Sequence, residues 1–331
     1  MTSTGEPEAD PDERVLPPYR SLPMLPSGVR SGWHVFGEDD QVGLLNLQTP
    51  ERVAQAARAV VTGEVFPLDA DLSLIDPPLF GRAPARHQVI DFGVGWDLDD
   101  KLDNFYPQAS SQWDSLAHVG YAPDQFYNGA TLRQVVEEGR NSVARYAARG
   151  VAGRAVLLDV AGVLTGRDEH YDPSRSHGIT VSDLEEARTS AGVTWRAGDV
   201  VLLHTGWLRW YAQQDRQVRA DLADEEAPSS VGLAHGPEVL EYLWDAQVCA
   251  VAADNPAVEQ LPFDLSAEAW PYGFLHQCLI GQLGLALGEL WWLHDLAAAC
   301  RRHERYEVFL TAAPLHLPGG IGSPANALAV L

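Results

Sequence analysis

The chain is short of cysteine, of positive charge and of long apolar runs, and each shortage excludes something. Cys249, Cys278 and Cys300 lie far apart and form no Cys-x-x-Cys pair. That excludes a disulfide framework and a zinc knuckle, and fits buried thiols in a reducing compartment. Lys and Arg number 23 against 46 Asp and Glu, a net charge of -23. Nucleic acids and anionic lipid surfaces both require basic patches, so neither is an expected partner; the acidity reads as solubility. The most apolar stretch, Cys278 to Leu293, is interrupted by Gly281, Gln282, Gly284, Gly288 and Glu289, so no membrane span is expected. Met1 begins a polar stretch without an apolar signal core, and the expected location is cytoplasmic. There is no internal repeat. A Gly-rich nucleotide fingerprint is also missing: Gly93-x-Gly95 lacks its third Gly, and Gly319-Gly320-Ile321-Gly322 precedes no helix signal.

What is present is an ordinary globular composition. The 331 residues are 46% apolar, with ten Trp and ten Tyr for a core, an interface or an aromatic pocket. Residues 1–26 are Pro-rich and acidic and read as a mobile arm, or one that orders on a partner subunit; 27–331 read as one catalytic domain. Helix punctuation is clear. Thr49-Pro50 opens a helix that Gly63 closes, and Thr131 opens one running to Gly150. Ser182 with Glu185 forms an expected capping box closed by Gly192; Gly236-Pro237 starts a helix ending near Asp245, and Leu293 to Arg302 makes a fifth. Between them lie apolar runs expected to be buried strands: Ala155 to Asp159, Asp199 to His204, Gln247 to Ala252 and Tyr306 to Thr311. Alternating helices and strands give an α/β class.

The chemistry concentrates in Ser111-Gln112-Trp113-Asp114-Ser115-Leu116-Ala117-His118. An Asp and a His four positions apart are common on surfaces, so the pair needs support. Of the eleven His, two others stand out by position. His204 ends an expected buried strand, where sites form. His276 precedes a Gly-rich apolar segment holding one acid, Glu289, which must be partnered or functional because burying it unpaired costs several kcal/mol. Asp114, His118, His276 and Glu289 would together make a two-His, two-carboxylate set suited to Zn, Mn or Fe(II). Such a site activates water and polarises a carbonyl. Spacing leaves open whether the two halves meet.

Several segments in the right order resemble one family. They are Trp33-His-Val-Phe-Gly37, Gly43-Leu-Leu-Asn-Leu47 with Thr49-Pro50-Glu51, Gly153-Arg-Ala-Val-Leu-Leu-Asp159, Gly198-Asp-Val-Val-Leu-Leu-His-Thr-Gly-Trp207, Ala253-Asp-Asn-Pro-Ala-Val-Glu259 and Gly322-Ser-Pro-Ala-Asn326. On these residues the chain resembles the putative-cyclase family, which includes bacterial kynurenine formamidase and isatin hydrolase. The family signature His-x-Gly-Thr-His-x-Asp-x-x-x-His places its Asp on Asp114 and its last His on His118. Its first His falls on Gln108 and its second on Gln112, so both leading His ligands are replaced, a Gln-Trp-Asp variant of the motif. The later His and Glu of the family site fall on His276 and Glu289.

The resemblance implies a swivelling β/β/α fold, a mixed sheet or flattened barrel with outer helices, and a homodimer or homotetramer. It implies at most one divalent metal per chain, Zn or Mn, on Asp114, His118, His276 and Glu289. His118 or Glu289 would take the proton of the attacking water, and Gln112 would donate to a developing oxyanion. Trp33, Phe36 and Tyr106 are candidates for a substrate pocket, with core packing as the alternative. Trp113 is read first as packing and second as pocket wall. His204, where the family often has Arg, would tune substrate charge. The implied activity is metal-dependent hydrolysis of a C–N or C–O bond in a small carbonyl compound: an aryl formamide, a lactam or a lactone. Two alternatives stay open, a metal-free acid–base cyclase or dehydratase of natural-product metabolism and a non-catalytic binding protein on the same scaffold.

Overall fold

In the computed structural model, residues 15–224 and 228–331 are described. Nine of the thirteen strands form one mixed, curled sheet in the order β1-β13-β11-β5-β7-β9-β10-β4-β12. These are β1 (Val65–Pro67), β4 (Gln112–Asp114), β5 (Val151–Asp159), β7 (Val200–His204), β9 (Ala250–Ala253), β10 (Ala286–Glu289), β11 (Glu307–Ala312), β12 (Gly322–Pro324) and β13 (Ala327–Val330). The others pair outside it: β2 (Arg86–Asp91) with β3 (Leu98–Asp103), and β6 (His177–Ile179) with β8 (Val231–Leu233). Ten α-helices accompany the strands among the described residues: α1 (Pro50–Ala56), α2 (Leu132–Glu138), α3 (Ala144–Arg149), α4 (Val160–Arg167), α5 (Val181–Ser190), α6 (Trp207–Ala212), α7 (Arg216–Asp224), α8 (Pro237–Asp245), α9 (Leu275–Leu279) and α10 (His294–His303). None is long and apolar enough to cross a membrane. The α/β class and the mixed sheet with outer helices are those the sequence led us to expect.

The centre of the sheet is parallel, β5-β7-β9-β10, and its strands are near-continuous apolar runs because both faces are covered. Consequently β5, β7, β9 and β10 all end along one edge, at Asp159, His204, Ala253 and Glu289. The carboxyl ends of parallel strands are where α/β folds place ligands.

The local grammar holds with shifts that have physical causes. Thr49 caps α1, accepting from the Arg52 N–H, and Pro50 occupies its first turn; the helix tightens into a 3-10 turn at Ala57–Ala59. The helix expected from Thr131 to Gly150 is two helices. Gly139 ends α2 in a left-handed conformation and Asn141 (φ 64°) continues the break. The capping box of α5 is Thr180 with Asp183, two residues earlier than the expected Ser182 and Glu185. The strand expected from Gln247 begins at Ala250, because the Gln247 N–H closes α8 on the Trp244 carbonyl. Gly93 and Gly95, a broken nucleotide fingerprint in the sequence, serve the turn between β2 and β3.

Of the expected mobile arm, residues 1–14 lie outside the described residues. Residues 15–26 are anchored on α8: the Val15 and Leu16 N–H groups donate to Gln247, Trp244 Nε1 donates to the Pro17 carbonyl, and Leu16, Tyr19 and Leu22 are buried.

One buried charge locks the antiparallel side of the sheet to its centre. Arg154 on β5 donates to Asp199 (2.7 Å), to Glu307 on β11 (2.6 Å) and to the Thr194 carbonyl. Burial pushes the Asp199 carboxyl up to about 6 even beside this guanidinium. Arg154→Ala is expected to lower unfolding stability by about 3–5 kcal/mol, since it strands the buried Asp199; urea denaturation measures it.

Candidate functional site

β4 runs antiparallel to β10, with Gln112 opposite Glu289 and Asp114 opposite Leu287. Alternate residues of a strand share a face. Gln112, Asp114 and Glu289 therefore emerge together, and Trp113 goes to the other side. There Trp113 is fully buried edge-on to Trp291, at 4.8 Å between ring centroids. Gly288 makes room for this pair: a Cβ on it would lie 2.7 Å from Trp291 Nε1. Trp113 thus packs the sheet and does not face the candidate site.

His276, near the start of α9, completes the cluster. One ligating atom each from Asp114, His276 and Glu289 lies within 4.8 Å of the others, and all three side chains are buried. His276 Nε2 is 3.1 Å from Glu289 Oε1. On its other side Nδ1 meets Glu259 Oε1 at 2.5 Å. Glu259 is wholly buried and also accepts from the backbone N–H groups of Leu275 and His276. His235 Nε2 approaches its second oxygen at 2.9 Å as an ion-pair contact, out of line for a hydrogen bond. A carboxylate behind an imidazole fixes its tautomer and orientation toward a metal.

His118 follows β4 in a turn closed by its own N–H on the Ser115 carbonyl. It belongs to the neighbourhood but not to the tight group: Nε2 is 3.7 Å from Asp114 Oδ1, and its ring centroid is 6.2 Å from that of His276. Gln108 stands between the two. Its Nε2 donates to Asp114 Oδ1 (2.6 Å) and reaches His118 Nδ1 at 3.1 Å. With Nδ1 accepting, the network assigns the proton of a neutral His118 to Nε2. The amide of Gln112 donates to Glu289 Oε2, so the expected oxyanion donor is engaged in holding a carboxylate.

The electrostatics follow from burial. Burial, with the repulsion of Asp114 added, raises the carboxyl of Glu289 above its ordinary range, and His276 offsets part of this. Burial also lowers His118, helped by the charges of His276 and Arg82 and opposed by Asp114. Against the same burial, Glu259 and Glu289 hold the His276 proton and push it up to about 10. The group therefore draws positive charge. A divalent cation fits it: two carboxylates and one imidazole converge, and the buried Oδ2 of Asp114 and Oε1 of Gln112 have no hydrogen-bond partner.

The remaining candidates are spread out. Trp33 donates to the Gly281 carbonyl and, with Phe36, packs on the main core. Tyr106 borders a cavity of about 590 Å³ lined by Ile75, Pro78, Pro84, Leu102 and Phe105, and adjoining Ala109. His204 lies on another face of the sheet, held by Asp159. Sequence reasoning missed Glu259 as the support of His276, and Arg82, whose Nη1 donates to the Gln108 carbonyl at 2.5 Å. Glu259 stands inside a segment that carries the family resemblance, which was a usable signal; Arg82 sits in a loop with none.

The profile of the family described as putative cyclase matches residues 62–260. A crystal structure described as a novel cyclase is 30% identical, with a TM-score of 0.78, covering 91% of this chain and 99% of that one. Isatin hydrolase A from Labrenzia aggregata, bound to benzyl benzoate, is 18% identical with a TM-score of 0.57, covering 83% of this chain and 94% of its own. Isatin hydrolase A from Ralstonia solanacearum is 19% identical with a TM-score of 0.59, covering 85% and 98%. The isatin hydrolases share the fold. No curated protein matches the chain.

Glu259→Gln removes the carboxylate behind His276. Affinity for a divalent ion is expected to fall about 10–100-fold, measured by competition against a chelator of known affinity.

Proposed function

Because the chain belongs to the putative-cyclase family, and is thereby an enzyme of the cyclase and hydrolase type, we propose that it hydrolyses a C–N or C–O bond in a small carbonyl compound, an aryl formamide, lactam or lactone. The observation that carries this is the buried convergence of Asp114, His276 and Glu289 beside a neutral imidazole. These three residues would hold one divalent ion, Zn or Mn. The ion, when bound, supplies Lewis acidity and lowers the pKa of water.

The chain's own groups divide the proton work. Glu289 is the base: burial and Asp114 make its carboxylate hold a proton better than an exposed one, and Gln112 fixes its orientation. The proton that Glu289 takes from the water passes on to the departing oxygen or nitrogen, while neutral His118, its Nδ1 occupied by Gln108, donates a hydrogen bond from Nε2–H to that atom. Arg82, close enough for its charge to act on both His118 and Glu289, faces the negative charge that grows on the carbonyl oxygen. The ring of the substrate is assigned to the cavity bordered by Tyr106 and Ala109, whose wall of Ile75, Pro78, Pro84, Leu102 and Phe105 is apolar; Ala109 adjoins Gln108 in sequence.

One observation favours a metal-free acid–base reading. Gln108 and Gln112 donate to Asp114 and Glu289, where the family signature has His ligands. The two readings separate in one experiment. Purified protein is assayed for metal and screened with formamides, lactams and lactones. Under the hydrolase reading it carries close to one ion per chain, loses activity on chelation and recovers it on adding Mn or Zn. Activity unchanged after complete metal removal would sink that reading.

On an active substrate, His118→Ala is expected to lower kcat about 10²–10³-fold with metal content unchanged. Asp114→Asn should lose both metal and turnover. Steady-state kinetics with metal analysis distinguishes the two.

The expected homodimer finds its support in the β2–β3 hairpin. Its side chains are exposed, including Phe92, Val94, Trp96 and Leu98 around the tip. A two-stranded hairpin is marginal in water unless something covers it, and a second copy of this chain is the proposed cover. Phe92→Ser with Trp96→Ser is expected to shift the protein to a smaller species in light scattering.

A further inference from the structure

The sheet has a second buried cluster that the hydrolytic reading does not use. Asp159 ends β5, His204 ends β7, and Asp254 follows β9; Asp159 and His204 are direct register partners. Glu289 lies one residue out of that row, since Gly288 pairs with Ala252 and Leu203 with Ala253. Strand alternation therefore sends His204 and Asp159 to the face opposite Glu289 and Asp114.

His204 is held in place from both sides. Nδ1 bonds Asp159 Oδ1 at 2.7 Å, and Nε2 lies 3.9 Å from Asp254 Oδ2. Asp254 is already engaged by the Thr205 N–H, the Thr205 hydroxyl and the Gly206 N–H. Asp159 is also taken by Arg301, at 2.5 Å. His204 is 96% buried by its 4% exposure, yet its Nε2 has no hydrogen-bond partner.

Beside His204 opens a cavity of about 580 Å³. Its floor is made of small residues, Ala161, Gly162, Gly166 and Gly206, and its walls carry Arg209, Arg301 and His294 together with one acid, Asp159, which His204 and Arg301 already engage. His294 and Arg301 stand seven residues apart on α10, two turns along one side. Arg209, exposed on α6, has no hydrogen-bond or ion-pair partner among the described residues. After burial, the charges of His204, Arg209 and Arg301 lower His294, with Asp295 opposing them. A guanidinium without a counter-charge, facing a cavity with a second Arg and two His, is suited to a bidentate oxyanion.

We propose that this cavity is a second ligand site, separate from the Asp114–His276–Glu289 site, which takes the carboxylate or phosphate group of a small organic anion through Arg209, with Arg301 and His294 as its walls. Arg209 supplies the free charge and the planar donor pair. Asp159 fixes Arg301, and the glycines and alanine leave space for the body of the ligand.

The full-length protein is titrated with inorganic phosphate and with succinate at constant ionic strength, using calorimetry and thermal shift, with chloride as control. We expect saturable binding of at least one anion. Phosphate alone points to phosphate esters, succinate alone to carboxylic acids, and both to oxyanions in general. Arg209→Ala, which removes a side chain without partners and so leaves the fold intact, is expected to weaken binding at least about tenfold. Asp114→Asn should bind as the parent does. No saturable binding of either anion, equal binding by Arg209→Ala, or loss of binding in Asp114→Asn would each overturn the assignment.

Discussion

The antiparallel pairing of β4 with β10 is the constraint on which the site depends. Three residues of β4 meet three of β10, and the register sets Gln112 against Glu289 and Asp114 two residues along on the same face. A slip of one residue would send both to the side of Trp113 and bring Trp113 into the site. The Trp113–Trp291 contact guards against that slip. It fills the opposite face with two large rings over Gly288, where a side chain would not fit.

Burial gives this geometry its chemistry. Asp114, set beside Glu289 away from water, adds to the burial that raises the proton affinity of Glu289, and the surroundings answer with donors and positive charge. Gln108 and Gln112 supply neutral donors; His276 supplies the charge, steadied by Glu259 from behind. His118, a little apart and only partly buried, has Asp114 alone as support against desolvation and stays neutral. One environment thus makes a more basic carboxylate and a neutral, hydrogen-bond-donating imidazole within a few ångströms.

The parallel centre serves two faces. The carboxyl ends of β5, β7, β9 and β10 fall along one edge, and strand alternation divides their residues between two sides. Glu289 goes inward to the cluster with Asp114. Asp159 and His204 go outward to a cavity framed by α4, α6 and α10, where His204, expected to tune the substrate, serves another neighbourhood.

Much of this was legible in the chain. The apolar runs of β5 and β7 announced buried parallel strands, and Thr49-Pro50 and Gly236-Pro237 marked helix starts, because backbone donors and hydrophobic faces impose local rules. Asp114, His118, His276 and Glu289 could be named because catalytic chemistry uses few residue types and a family motif carries them. The break at Gly139 was missed and the capping box of α5 was misplaced by two residues, where several local signals compete. Arg82 and the outward turn of His204 were not legible, and of Glu259 only its place in a family segment was. Their roles arise from contacts between residues distant in sequence: Glu259 with His276 and His235, Arg82 with Gln108, and Arg301 with Asp159. The sequence by itself determined which groups are available and which segments become strands and helices. Only the tertiary structure decided which face each group occupies and how deeply it is buried, because register, alternation and desolvation exist only once the strands have paired.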